Sequence, residues 1–203
     1  TGYIGPLDTY LSRVLTLVEV DGAIVAGTTE GAFVSKDAGA SWIQVEGVAG
    51  RVGAVLEDPG RPGTLIATSF QSGTGYGGLF VSHDGGSTWQ EPVGDAWAAG
   101  IAVDPQSGAL LASVWMPPVY YGSPFRGIVR STDHGDTWTQ VSGVGELAML
   151  VADPGVPGRI WAANGHLHRS DDGGLSWTEV AAPSTCEPPT ADCGPHAFLV
   201  DAP

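Results

Sequence analysis

Four copies of one eight-residue pattern, Ser-x-Asp-x-Gly-x-(Ser/Thr)-Trp, constrain this chain more than any other feature. Their fixed residues are Ser35, Asp37, Gly39 and Trp42; Ser82, Asp84, Gly86 and Trp89; Ser131, Asp133, Gly135 and Trp138; and Ser170, Asp172, Gly174 and Trp177. From Ser35 to Ser82, Ser82 to Ser131 and Ser131 to Ser170 the steps are 47, 49 and 39 residues. A repeat of this length has room for one four-stranded sheet of a radial array. The expected fold is therefore all-β, a β-propeller of four-stranded antiparallel blades.

Each repeat supports that reading locally. In 51–93, the run from Arg51 to Glu57 ends in the turn cluster Asp58-Pro59-Gly60, and Thr64–Phe70 is rich in β-formers. Gly78–Ser82 is a third strand, and the box turns the chain into a fourth at Thr88–Val93. Asp104-Pro105 and Asp153-Pro154 repeat the first turn. Blades are expected at about 11–45, 50–93, 97–141 and 146–180 within one domain spanning 1–203. The segment 181–203 then holds a Cys/Pro loop and, at Pro195–Pro203, the opening strand of a fifth blade. Four repeats and a beginning favour an incomplete ring, or one completed by another chain, over a closed four-blade monomer. The box aspartates, like Asp58, Asp104 and Asp153, recur in repeat after repeat. That marks them as turn formers rather than catalysts, because an active site joins unlike residues.

The pattern resembles the Asp-box, or BNR, repeat of sialidase-like, sortilin-type and xyloglucanase-type propellers. The resemblance covers about residues 11–180 and implies boxes on the blade periphery. It is specific for fold and silent on activity, since enzymes, receptors and assembly factors share it.

Composition narrows the partners. Eight basic against 22 acidic residues give a formal charge of −14, and nucleic acid or an anionic membrane needs clustered cations. No run reaches the length of a membrane span. Cys186 and Cys193 bracket a Pro-rich loop and have the spacing of a local disulfide. That places the protein in an oxidising setting: secreted, periplasmic or at the cell surface. No cofactor is implied. His166 and His168 share a strand face, but two imidazoles without a third ligand do not make a metal site. His83 and His134, at variable box positions, are expected to be solvated.

Strand alternation puts all the boxes at one end of the blades and the second-to-third-strand loops at the other. At that other end two segments exceed what a propeller needs, one glycine-rich around Tyr76, the other running from Trp115 through Tyr120 and Tyr121 to Phe125 and Arg126. Aromatics and arginine on such loops form recognition surfaces, so these six are the candidate ligand contacts; the alternative is that the aromatics pack beneath their own long loop. The expected function is non-catalytic: an extracytoplasmic binding or scaffold module for a carbohydrate or protein ligand. Strand edges are open to a second copy or to further blades. The alternatives are a glycoside hydrolase, whole or in part, and a structural subunit assembling through its edges. Against hydrolysis, Arg61 and Arg159 fall at the box end, and no non-repeated carboxylate pair stands out. Glu30, Asp95 and Glu146 are the acids expected near the ligand end.

Overall fold

The computed structural model describes residues 3–4, 13–70, 77–117, 125–141, 144 and 148–180. Those residues form strands and turns, in four antiparallel sheets. The first joins β1 (Tyr3–Ile4), β2 (Val14–Val20), β3 (Ala23–Thr28), β4 (Gly31–Ser35) and β5 (Trp42–Gln44). The second holds β6 (Arg51–Glu57), β7 (Leu65–Phe70), β8 (Leu79–Ser82) and β9 (Gln90–Val93). The third holds β10 (Trp97–Val103), β11 (Leu110–Met116), β12 (Phe125–Ser131) and β13 (Thr139–Val141); the fourth, β14 (Met149–Ala152), β15 (Ile160–Ala163), β16 (Leu167–Ser170) and β17 (Thr178–Val180). The three later sheets are meanders in sequence order. The first carries an extra strand, β1, paired antiparallel with β5 at its outer edge. No repeat pattern announced it.

Successive sheets pack face to face, the second on the first, the third on the second and the fourth on the third. No comparable packing joins the first sheet to the fourth among the described residues. Over the described residues the array is an arc of propeller blades, not a closed ring. Three apolar cores fill the junctions. Val25, Val34 and Val48 meet Val52, Val55, Leu65 and Phe80 at the first. Ile66, Leu79 and Val81 meet Leu110, Ala112 and Val129 at the second, and Leu111 and Ile128 meet Leu150, Ile160 and Ala162 at the third.

Cross-strand register decides which side chains serve which junction, since alternate residues face opposite ways. In the second sheet the row Leu56–Ile66–Val81 faces the third sheet; in the third, Ala102–Leu111–Arg130 faces the fourth. The matching row of the fourth sheet is Val151–Trp161–Arg169.

The box is one hydrogen-bonded turn built four times. In the third copy the buried Ser131 Oγ donates to Asp133 Oδ1 (2.7 Å) and accepts from Gly135 N (2.9 Å). Asp133 in turn accepts from Thr137 N (2.9 Å) and Thr137 Oγ1 (2.5 Å), and Trp138 Nε1 donates to Gly135 O (2.9 Å). The glycine is needed twice over. Its φ is +92° in this copy, and a Cβ there would come within 2.8 Å of Val81 Cγ2 in the preceding sheet. Gly86 stands in the same relation to Val25, and Gly174 to Leu111.

Candidate functional site

The two ends of the arc differ in what they do. At the box end the first-turn aspartates Asp58 and Asp104 are buried and bridge to the following blade. Asp58 Oδ2 lies 2.7 Å from His134 Nδ1, and Asp104 Oδ1 accepts from Gly158 N at 3.2 Å. His83 lies between Thr64 Oγ1 (3.2 Å) and Asp136 Oδ1 (2.9 Å). The expectation that His83 and His134 are simply solvated is therefore corrected. Both span the junction between the second and third sheets, His83 reaching forward to the next box and His134 back to the first turn of the preceding blade. Arg159 and Arg169 share Asp171 at this end, at 2.7 and 2.8 Å.

Hydrogen bonds from Thr137 and Ser131 hold the Asp133 carboxyl at about 2. Those from Ser41 and Ser35 hold Asp37 below the ordinary range. In Asp84 and Asp172 burial pushes upward, and the bonds led by Thr88 and Ser176 outweigh it. Carboxylates locked as acceptors in this way suit turn-building and not proton transfer.

The opposite end gathers aromatic side chains. Trp97, opening β10, pairs across the strands with Trp115 near the end of β11, and Trp115 pairs with Arg126 on β12. The three share one face of the third sheet. The rings of Trp97 and Trp115 are 4.2 Å apart at 50°, Arg126 lies over Trp115 at 5.2 Å, and Phe70 of the second sheet meets Trp97 at 4.9 Å. The Trp115 indole Nε1 is out of water and finds no hydrogen-bond acceptor among the described residues. A shallow cleft of about 340 Å³ also opens at this end, lined by Glu30, Gln44 and 45–49, but it contains no aromatic side chain.

The structure thus brings together two of the six candidate contacts, Trp115 and Arg126, and both stand on paired strands rather than in a loop. Phe125 pairs with Met116 instead, which turns it to the other face, against the core between the second and third sheets. Tyr76, Tyr120 and Tyr121 lie outside the described residues, as do Cys186 and Cys193. Sequence reasoning missed Trp97 and Phe70. The available signal was a tryptophan outside any box at the start of a blade. It also passed over Glu91. That residue is exposed overall, yet its carboxylate rests on Gly78 and lies close to Gly94, and burial with the nearby Asp95 charge raises its pKa. His166 Nδ1 is 2.8 Å from Glu179 Oε1, and no cluster of three metal-ligating side chains occurs among the described residues.

A family model described as the BNR/Asp-box repeat matches residues 80–91. Solved structures of similar fold include an ancestral GH74 enzyme, 21% identical over 91% of this chain with a TM-score of 0.68. The GH74 xyloglucanase from Xanthomonas campestris is 18% identical over 79% (TM-score 0.55), and a Hadza microbial sialidase 20% over 86% (TM-score 0.54). The chain spans only 26%, 28% and 47% of those three proteins. No curated protein matches the sequence. The chain thus carries a BNR/Asp-box repeat and folds as an array of β-propeller blades.

Proposed function

We propose that this array is a carbohydrate-binding surface of an exported propeller, with its contact at Trp97, Trp115 and Arg126. The carrying observation is the tilted ring pair Trp97–Trp115 with Arg126 over Trp115, at the end of the blades away from the boxes. Aromatic faces offer a large apolar area to the C–H face of a pyranose. The exposed Arg126 guanidinium supplies N–H donors for sugar hydroxyls. The similar structures include a xyloglucanase and a sialidase, which supports a glycan rather than a protein ligand. Export follows from the Cys186 and Cys193 spacing. In affinity electrophoresis against a panel of soluble plant and host glycans, the chain is expected to be retarded by at least one. Trp115→Ala should abolish that retardation while leaving the folded circular dichroism spectrum intact. Undiminished retardation of the variant removes this surface from the reading.

A second reading, glycoside hydrolysis, is favoured by the raised Glu91 carboxyl beside Asp95. Glycosidic cleavage uses a pair of carboxyl groups, one of them with a raised pKa. Turnover of a fluorogenic glycoside, lost in Glu91→Gln, supports it; no turnover by the folded chain counts against it.

A further inference from the structure

The second and third junctions draw the same set of groups from their upstream sheets. An apolar row on the first two strands enters the shared core, as Leu56 and Ile66 do at the second junction and Ala102 and Leu111 at the third. The residue before the box serine also points downstream. Val81 joins the core, and Arg130 Nε donates to Gly173 O in the next box at 3.0 Å. The first-turn aspartate accepts from the next blade, Asp58 from His134 and Asp104 from Gly158.

The fourth sheet carries the whole set again in Val151, Trp161, Arg169 and Asp153. Among the described residues no sheet lies against the face that carries them. Trp161 is half-buried, where its counterparts Ile66 and Leu111 are 1% and 0% exposed. Arg169 turns back to Asp171 Oδ2 at 2.8 Å and lies 6.0 Å from the Trp161 ring. Asp153 accepts from Gly155 of its own turn at 3.0 Å.

We propose that this face is a docking surface for residues 195–203 of the same chain, which would lie on it as the opening strand of a fifth blade. That segment reads Pro-His-Ala-Phe-Leu-Val-Asp-Ala-Pro, an apolar run ending in aspartate like the strands before Asp58, Asp104 and Asp153. Aligned on Asp201, Phe198 falls where Val55, Ile101 and Leu150 stand. Each of those packs into the junction with the sheet before it. In the proposed docking Phe198 and Val200 would meet Val151 and Trp161. The proline comes one place later than in the other turns, which alters the turn and not the parity of the strand. A second copy is the poorer occupant. Its complementary surface would be the upstream face of the first sheet, and there Ala26, Phe33 and Trp42 are already buried within one chain.

The test is isotope-edited NMR of the full chain. Wild type is expected to show contacts between the Phe198 ring and the Val151 methyls and Trp161 ring. The Trp161 indole signal, assigned with Trp161→Phe, should shift in Phe198→Ala, while those of Trp42 and Trp89 stay put. Absence of the Phe198 contacts in wild type overturns the proposal without reliance on any variant. So does finding them only between differently labelled chains in a mixed sample, which assigns the face to a second copy. An unmoved Trp161 signal in a folded Phe198→Ala chain overturns it as well.

Discussion

Gly135 is held by two separable demands, and three alanine variants measure them apart. Gly108 has φ +69° with nothing within 4 Å of a hypothetical Cβ. Gly108→Ala therefore meets the left-handed backbone penalty alone, about 1–2 kcal/mol. Gly53 has neither a positive φ nor a neighbour within 4 Å, so Gly53→Ala should be neutral or stabilising, by roughly 0.4–1 kcal/mol through the unfolded chain. Gly135→Ala meets the backbone penalty at φ +92° and also drives a methyl into Val81, with Cγ2 at 2.8 Å and Cγ1 at 3.2 Å. Val81 is buried in the core between the second and third sheets and has little room to retreat. Overpacking of that kind costs a further 1–3 kcal/mol or so, making about 2–5 kcal/mol in all. Urea unfolding followed by tryptophan fluorescence, analysed with a common slope, gives the three values. The expected order of stability is Gly53→Ala, then Gly108→Ala, then Gly135→Ala. If Gly135→Ala costs no more than Gly108→Ala, the box glycine does not serve the junction, and the close approach to Val81 carries no energetic weight.

His134→Ala should lower stability by about 1–3 kcal/mol, because it strips a partner from the fully buried Asp58 carboxylate; a denaturation midpoint equal to wild type would contradict this. Acid should loosen the boxes. The carboxylates of Asp37, Asp84, Asp133 and Asp172 are all depressed in the folded chain. Their contribution is thus complete above the ordinary value near 3.8 and is lost as pH falls toward about 2, where Asp133 takes up its proton. Thermal midpoints between pH 5 and 2 should fall most steeply below 4, and Asp133→Asn should flatten that fall. A profile that Asp133→Asn leaves unaltered would show that its depressed carboxyl is not coupled to folding.

The legibility of this molecule in its sequence follows the range of the interactions. Boxes such as Ser131–Trp138 are closed by bonds within eight residues, so residue types and spacing suffice to read them. The first-turn aspartates were legible as turn formers for the same reason. What they do for the neighbouring blade was not, because the partner of Asp58 is 76 residues away in the chain. Trp97 and Trp115 touch only through cross-strand register, and register also separates Arg126 from Phe125 although they are adjacent. Hydrophobic pattern places residues on a strand, but which of two adjacent aromatics faces outward depends on where the hairpin closes. The two-residue β1 is too short to carry any periodic signal.

Since the box glycines of the last three blades, Gly86, Gly135 and Gly174, press into the sheet before them, the cohesive unit of the array straddles two blades. An isolated blade would present its glycine notch to water and leave half a core unfilled, so stability should grow with the number of interfaces rather than the number of repeats. Gene duplication that copies one whole repeat also copies a notch and the side chain that fits one, Val25, Val81 or Leu111. A duplicated unit therefore arrives already matched to both neighbours, which gives arrays of this kind a ready route to lengthening or shortening one blade at a time.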